Sequence, residues 1–204
     1  MRTSTWWRSS RLWLVLLLPA LALALAASSF RFSALYLRWE WSQPTLLRAP
    51  GAYTQTFSTG THTLQRTVEV GVAAVERAVE VEGEYAAGGT ALWRVALDFA
   101  AAPDQILATC EIELEDAAGI RYGVRGAKVN ADGDPDSTWV HRGCTPADAP
   151  GPTVDFDGQV READTTRPQR WQVVTSVAVP AGVEPTLVRV MWDRPGYLRL
   201  TIPR

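Results

Sequence analysis

A run of 19 uncharged, mostly apolar residues, Leu12–Phe30, constrains this chain more than any other feature. Hydrocarbon offers the backbone no water to hydrogen-bond, so a lipid-embedded stretch of this length must be helical. At 1.5 Å per residue it spans about 28 Å, close to the roughly 30 Å of a bilayer core. Arg2, Arg8 and Arg11 precede it and predict a cytoplasmic N-terminus by the positive-inside bias. Trp6, Trp7 and Trp13 on one side, and Tyr36, Trp39 and Trp41 on the other, are placed to form two interfacial aromatic belts.

A cleaved secretory signal is the competing reading, with Ala22-Leu23-Ala24 or Ala24-Leu25-Ala26 as the cleavage site. The apolar run exceeds the roughly 7–15 residues of an ordinary signal core. No polar segment precedes the candidate sites, and cleavage would leave an apolar, aromatic new N-terminus at FRFSALYLRWEW. The retained anchor is therefore preferred. The chain divides into a cytoplasmic tail over 1–11, a transmembrane anchor over 12–30, a juxtamembrane linker over 31–51 and an exported domain over 52–204. Phe30–Trp41 fits both a strand and a helical face. An interfacial helical continuation stopped by Pro44 is expected, with 42–51 as linker.

Charge divides at the same segment. Residues 1–41 hold five of the 20 basic side chains and one of the 22 acidic ones, which leaves 42–204 with 15 against 21, a formal −6. Without a clustered basic stripe, such a domain excludes nucleic acid as a partner. Lys128 is the only lysine in the sequence.

Beyond the linker, hydrophobicity alternates with period two. Val68, Val70 and Val72 share one face. So do Trp93, Val95, Leu97 and Phe99, then Ile106, Ala108, Cys110, Ile112 and Leu114, then Trp171, Val173, Thr175, Val177 and Val179. Leu187–Trp192 and Tyr197–Ile202 close the series. Turn signals such as Ala87-Gly88-Gly89, Ala102-Pro103-Asp104, Asp116–Gly119 and Arg194-Pro195-Gly196 separate the runs. Short half-buried strands punctuated in this way predict an all-β, antiparallel sandwich. Glu111, Glu113 and Glu115 form an acidic row on a solvent face, with Arg94 or Arg199 as candidate cross-strand partners. Trp93, Trp171 and Trp192 fall on the core phase.

Asn130–Gly158 is a long loop rich in Asp, Pro and Gly, of the kind that is either functional or poorly ordered. Cys110 points inward by strand phase and Cys144 lies in this loop. On the exported side an even pair is expected to be a disulfide, which would pin the loop to the sheet. Trp139, His141 and Arg142 are then the expected contact residues, on a loop preorganised by the bridge. Asp132, Asp134 and Asp136 have the spacing that opens a calcium loop. Ser137 and Gly143 stand where an EF-hand needs Gly and Glu, so an Asx-rich turn is the preferred reading. The sequence contains no Gly-rich phosphate loop, HExxH, nucleophile elbow or CxxC. No cofactor is expected.

Two stretches resemble cysteine transpeptidases. Ile106-Leu107-Ala108-Thr109-Cys110 resembles the sortase strand motif, which would make Cys110 the nucleophile, His62 the base and Arg121 or Arg125 the oxyanion stabiliser. Ile106 replaces the motif's first threonine, and about 80 residues follow Arg125 where sortases end soon after the arginine. His141-Arg142-Gly143-Cys144 is similar to the histidine-glycine-cysteine motif of L,D-transpeptidases, with one residue inserted.

Ile112-Glu113-Leu114-Glu115-Asp116-Ala117-Ala118-Gly119-Ile120-Arg121-Tyr122 is a strand, tight turn and strand ending in an aromatic, and Val177-Ala178-Val179-Pro180 is a strand closing on proline. On these residues Leu92–Ile202 resembles the exported immunoglobulin-like, telokin-like domains of Gram-positive bacteria. The layout is also similar to that of uncharacterised membrane-anchored actinobacterial proteins. The resemblance implies an immunoglobulin-like β-sandwich behind one transmembrane helix, without catalysis. The expected function is a protein-interaction module of the cell envelope, bound to the bilayer through residues 12–30 and acting as an accessory subunit of a membrane complex. A sortase-like enzyme and a calcium-dependent adhesion domain are the alternatives.

Overall fold

The computed structural model describes residues 4–36, 40–48, 50–124, 127–135 and 143–203. It begins with α1 (Ser4–Arg31), continued by a π-helical turn over Phe32–Tyr36. Val15–Ala34 is long and apolar enough to cross a membrane, and none of it is buried within the protein. A helix apolar on all sides with no protein cover gains nothing from water. Pro19 sits inside it.

The strands follow in order: β1 (Gln43–Leu47), β2 (Gly51–Ser58), β3 (Thr63–Ala78), β4 (Glu80–Val81), β5 (Glu84–Ala86), β6 (Thr90–Ala100), β7 (Glu111–Asp116), β8 (Arg121–Gly123), β9 (Lys128–Val129), β10 (Thr153–Val154), β11 (Val160–Arg161), β12 (Arg170–Pro180), β13 (Pro185–Met191) and β14 (Gly196–Thr201). Four strands pair as β12-β6-β3-β2 and five as β1-β14-β13-β7-β8. Two small sheets, β4-β5-β9 and β10-β11, complete the fold. All pairings are antiparallel except β1 with β14.

Alternation explains why the two large sheets meet. In β2, Tyr53, Gln55 and Phe57 are buried while Ala52, Thr54, Thr56 and Ser58 face water. Val68, Val70, Val95, Leu97 and Val177 from one sheet join Ile112, Leu114, Val188, Val190, Leu198 and Leu200 from the other in a single core. Tyr53 stacks on Trp192 across the sheets at 6.1 Å between centroids. Burial of this apolar surface is the main force holding such a sandwich together. A bulge between Val72 and Ala74 shifts the phase of β3, so that both Val72 and Val75 pack on the core.

Three expectations are corrected. The alternation over Ile106–Leu114 is not one strand, because β7 begins at Glu111 and the preceding residues form a loop. There Leu107, off the expected phase, is fully buried, and its carbonyl accepts the Trp192 indole N–H at 3.0 Å. Residues 42–51 are not merely linker. They contain β1, a parallel edge strand whose start is fixed by Ser42 and Gln43 N–H groups donating to the Pro195 carbonyl. Trp171 is only partly buried, stacked on its cross-strand partner Phe99 at 5.7 Å.

Candidate binding site

The long loop leaves and re-enters the sandwich at well-defined anchor points. At its C-terminal side Cys144 is bonded to Cys110, with Cα atoms 5.6 Å apart and both residues buried. Trp171, at the start of β12, donates its indole N–H to the Cys144 carbonyl at 2.8 Å. Arg167 forms a second clamp. Its Nη2 donates to the carbonyls of Ala102 and Gln105 at 2.8 and 2.9 Å, and its Nη1 to that of Pro150 at 3.1 Å. The guanidinium, 1% exposed, also lies 4.9 Å from the Trp171 ring. Burial lowers its pKa, opposed by the Asp104 carboxylate. Gly151 is glycine by necessity: its φ is +78° and a Cβ would lie 2.5 Å from Arg167 Nη1.

Arg167 thus ties the 102–105 turn to the descending limb of the long loop. Replacing it by methionine strands three carbonyls, so Arg167→Met is expected to cost about 2–3 kcal/mol. Urea denaturation of the purified chain measures this, and a loss below about 0.5 kcal/mol would show the clamp to be dispensable.

At the N-terminal side Asn130 organises the loop. Its Oδ1 accepts the N–H groups of Asp132 and Asp134 at 3.0 and 2.9 Å, an Asx turn. Asp132 and Asp134 are exposed, and Asp136 lies outside the described residues. Among the described residues, no three His, Cys, Asp or Glu side chains form a group that could hold a metal ion. Trp139, His141 and Arg142 also lie outside the described residues. Just upstream, Lys128 on β9 pairs with Glu84 at 2.9 Å and donates to Ser176 Oγ at 3.0 Å, while Ser176 hydrogen-bonds Glu84. Ser176 is itself fully buried. This cluster docks β5 and β9 on the large sheet.

The transpeptidase constellation lacks its thiol, since Cys110 Sγ is bonded and no described cysteine is free. His62 sits in the exposed turn between β2 and β3, Arg121 is exposed on β8, and Arg125 lies outside the described residues. The acidic row does meet cross-strand arginines, but not Arg94, which pairs with Glu76. Arg199 pairs with Glu115, and Arg189 reaches both Glu113 at 3.3 Å and Glu115 at 3.8 Å. Arg189 and Glu115 are buried, so this is not simply a wet face.

Sequence reasoning missed a further charged centre. Arg66, 2% exposed, pairs with Asp193 and lies 3.8 Å from the Phe57 ring centroid. Gln55 donates to the Asp193 carbonyl. A cavity of about 180 Å³ opens beside the pair, between Phe57, Ile106, Thr109 and Val154. Thr109 has φ +64°, a conformation rarely adopted by a β-branched residue. The missed signal is phase, because Arg66 falls in register with inward Val68 and Val70. On the outer face of the four-stranded sheet, two adjoining shallow grooves of about 450 and 530 Å³ share Glu69, Ala100 and Arg170.

No protein-family model matches this chain, and no curated protein matches it. Among solved structures, an uncharacterised β-sandwich protein from Clostridium difficile 630 is similar over 80% of this chain and 96% of its own, at 9% identity and a TM-score of 0.34.

Proposed function

We propose that this chain is a membrane-anchored, extracytoplasmic module of the cell envelope, with an immunoglobulin-like sandwich that holds a protein partner without catalysis, as an accessory subunit of a membrane complex. The observation that carries the reading is the Cys110–Cys144 bond behind an uncovered apolar helix. Disulfides persist in oxidising compartments, and a helix of that character in front of one supports export followed by retention in the bilayer. Arg2, Arg8 and Arg11 support a cytoplasmic N-terminus. Arg167, Trp171 and the bridge brace one limb of the loop over 130–158, and Asn130 braces the other. A segment held at both ends loses less entropy on binding than a free one, which favours it as the contact surface and Trp139, His141 and Arg142 as its contact residues.

Cross-linking in intact cells, followed by purification of the tagged chain, tests this directly. Deleting residues 131–140 is expected to remove the cross-linked partner while the disulfide and the thermal transition persist. Capture that survives the deletion would overturn the assignment. Intact mass tests the anchor separately: a chain starting at residue 1 or 2 supports retention, and one starting near Ala27 sinks it.

A further inference from the structure

Phe156 is fully exposed at the tip of the β10–β11 hairpin, with Val160 exposed beside it. A free aromatic at a loop tip would ordinarily fold back onto the nearest apolar surface. Here it stands out from a turn whose backbone is held by hydrogen bonds. Asp155 Oδ1 accepts the N–H groups of Asp157 and Gln159, both at 3.0 Å, and Oδ2 pairs with Arg161 at 3.1 Å. These hydrogen bonds, led by that from Gln159, lower the Asp155 pKa. The hairpin is itself fastened to the domain: Thr59 and Thr61 hydroxyls both donate to the Gly158 carbonyl at 2.9 Å. Gly158 has φ +77°, and a Cβ there would lie 2.6 Å from the Thr59 carbonyl oxygen.

Strand directions show at which end of the sandwich this tip lies. The β13–β14 turn contacts the start of β1 through Pro195 and the Trp41 ring through Arg194, 5.2 Å from its centroid. The same turn carries Asp193, which bonds Gln55 and Arg66 and shares a cavity wall with Thr153 and Val154. Hairpin, β2–β3 turn and β13–β14 turn therefore lie at one end, the end where the chain arrives from the helix. Seven residue steps separate Tyr36 from Gln43, a reach of at most ~25 Å. The opposite end carries Val79, beyond the last residue of β3, whose 16 residues extend roughly 50 Å.

We infer that the β10–β11 hairpin is a second membrane contact, with Phe156 seated at the headgroup–acyl boundary of the bilayer that holds the helix. It rests on the anchored reading proposed above. A tether this short keeps the near end of the sandwich beside the lipid, and a rigid turn presents there one aromatic with no protein cover. Asp157, exposed next to it, makes a zwitterionic surface the fitting one, because anionic headgroups would repel it.

The full chain reconstituted in phosphatidylcholine vesicles provides the test. Both native cysteines are bonded, so Asp157→Cys supplies one thiol for an environment-sensitive nitrobenzoxadiazole label while Phe156 is kept, and Val79→Cys supplies the far-end control. Quenching by lipids spin-labelled near the headgroup is expected to be roughly twofold or more stronger at 157 than at 79. Adding Phe156→Ser should abolish that excess, and so should Gly158→Ala, which undocks the hairpin. Equal quenching at 157 and 79 in a chain that floats with the vesicles would overturn the inference and leave the anchor intact. Excess quenching that survives Phe156→Ser would overturn it as well. A chain that does not float at all removes the anchored reading, and this contact with it.

Discussion

Replacing Cys110 and Cys144 together by alanine is expected to lower the midpoint of thermal unfolding by roughly 8–16 °C, the shift that about 4 kcal/mol produces in a domain near 160 residues. The chain between the two cysteines spans 34 positions. In the chain-entropy account, closing a loop of that length removes about 4 kcal/mol of unfolded-state freedom. The folded state contributes too, since both residues are buried and Cys144 presents its carbonyl to the Trp171 indole. Once the bridge is gone, Arg167 and Trp171 are the contacts that still hold the chain beside it. Near-UV circular dichroism during heating follows the tryptophans and reads the transition directly. A shift below about 2 °C would mean that these two contacts suffice. Thiol titration of the native, unreduced chain gives a companion result, with no reactive thiol expected before reduction and two after denaturation with reductant. A thiol that reacts in the native chain would revive the cysteine-nucleophile reading.

The sandwich was legible because its signal is geometric: a strand half in water alternates, as Arg66 to Val70 of β3 do, and the apolar phases of β6 and β12 fall on buried Val95, Leu97, Val173 and Val177 even where the other face is covered too. Where alternation arises without pairing, the same logic misleads. Ile106 and Ala108 share a phase with Ile112, yet the backbone at Thr109 turns to positive φ, and it is the intervening Leu107 that is buried while Ile106 and Ala108 are only partly so. β1 was hidden for the opposite reason. It is held by backbone pairing at an exposed edge, so its Gln43, Pro44 and Thr45 carry no apolar pattern. The disulfide followed from compartment and parity. Its reinforcement by Arg167 did not, because a basic residue before a strand reads as solvated and only the fold places three carbonyls around it. The hairpin tip at Phe156 was invisible within a loop whose composition resembles that of disordered chain.

Arg189 is the residue whose loss should be felt most among the charged groups. Arg189→Leu is expected to destabilise the domain by about 3–5 kcal/mol at neutral pH. Its guanidinium is buried on β13, 4.3 Å from the Tyr197 ring centroid, between Glu113 and Glu115 of β7. Glu115 keeps Arg199 as a partner, but Glu113 would be left with the more exposed Arg121. Its pKa is already raised, by burial first, with Arg189 the leading opposing influence. Deleting Arg189 pushes it further upward. A carboxyl whose folded pKa exceeds its unfolded one stabilises the fold below its ordinary value of 4.5 and loses that contribution as pH rises through the folded value. The cost of Arg189→Leu should therefore be smallest near pH 4 and grow toward pH 7, and Arg189→Leu with Glu113→Gln should recover most of it at pH 7. Urea denaturation across that range measures both effects. A penalty independent of pH and unmoved by Glu113→Gln would show that Arg189 acts through packing on Tyr197, and that the charges on this sheet are incidental to its stability.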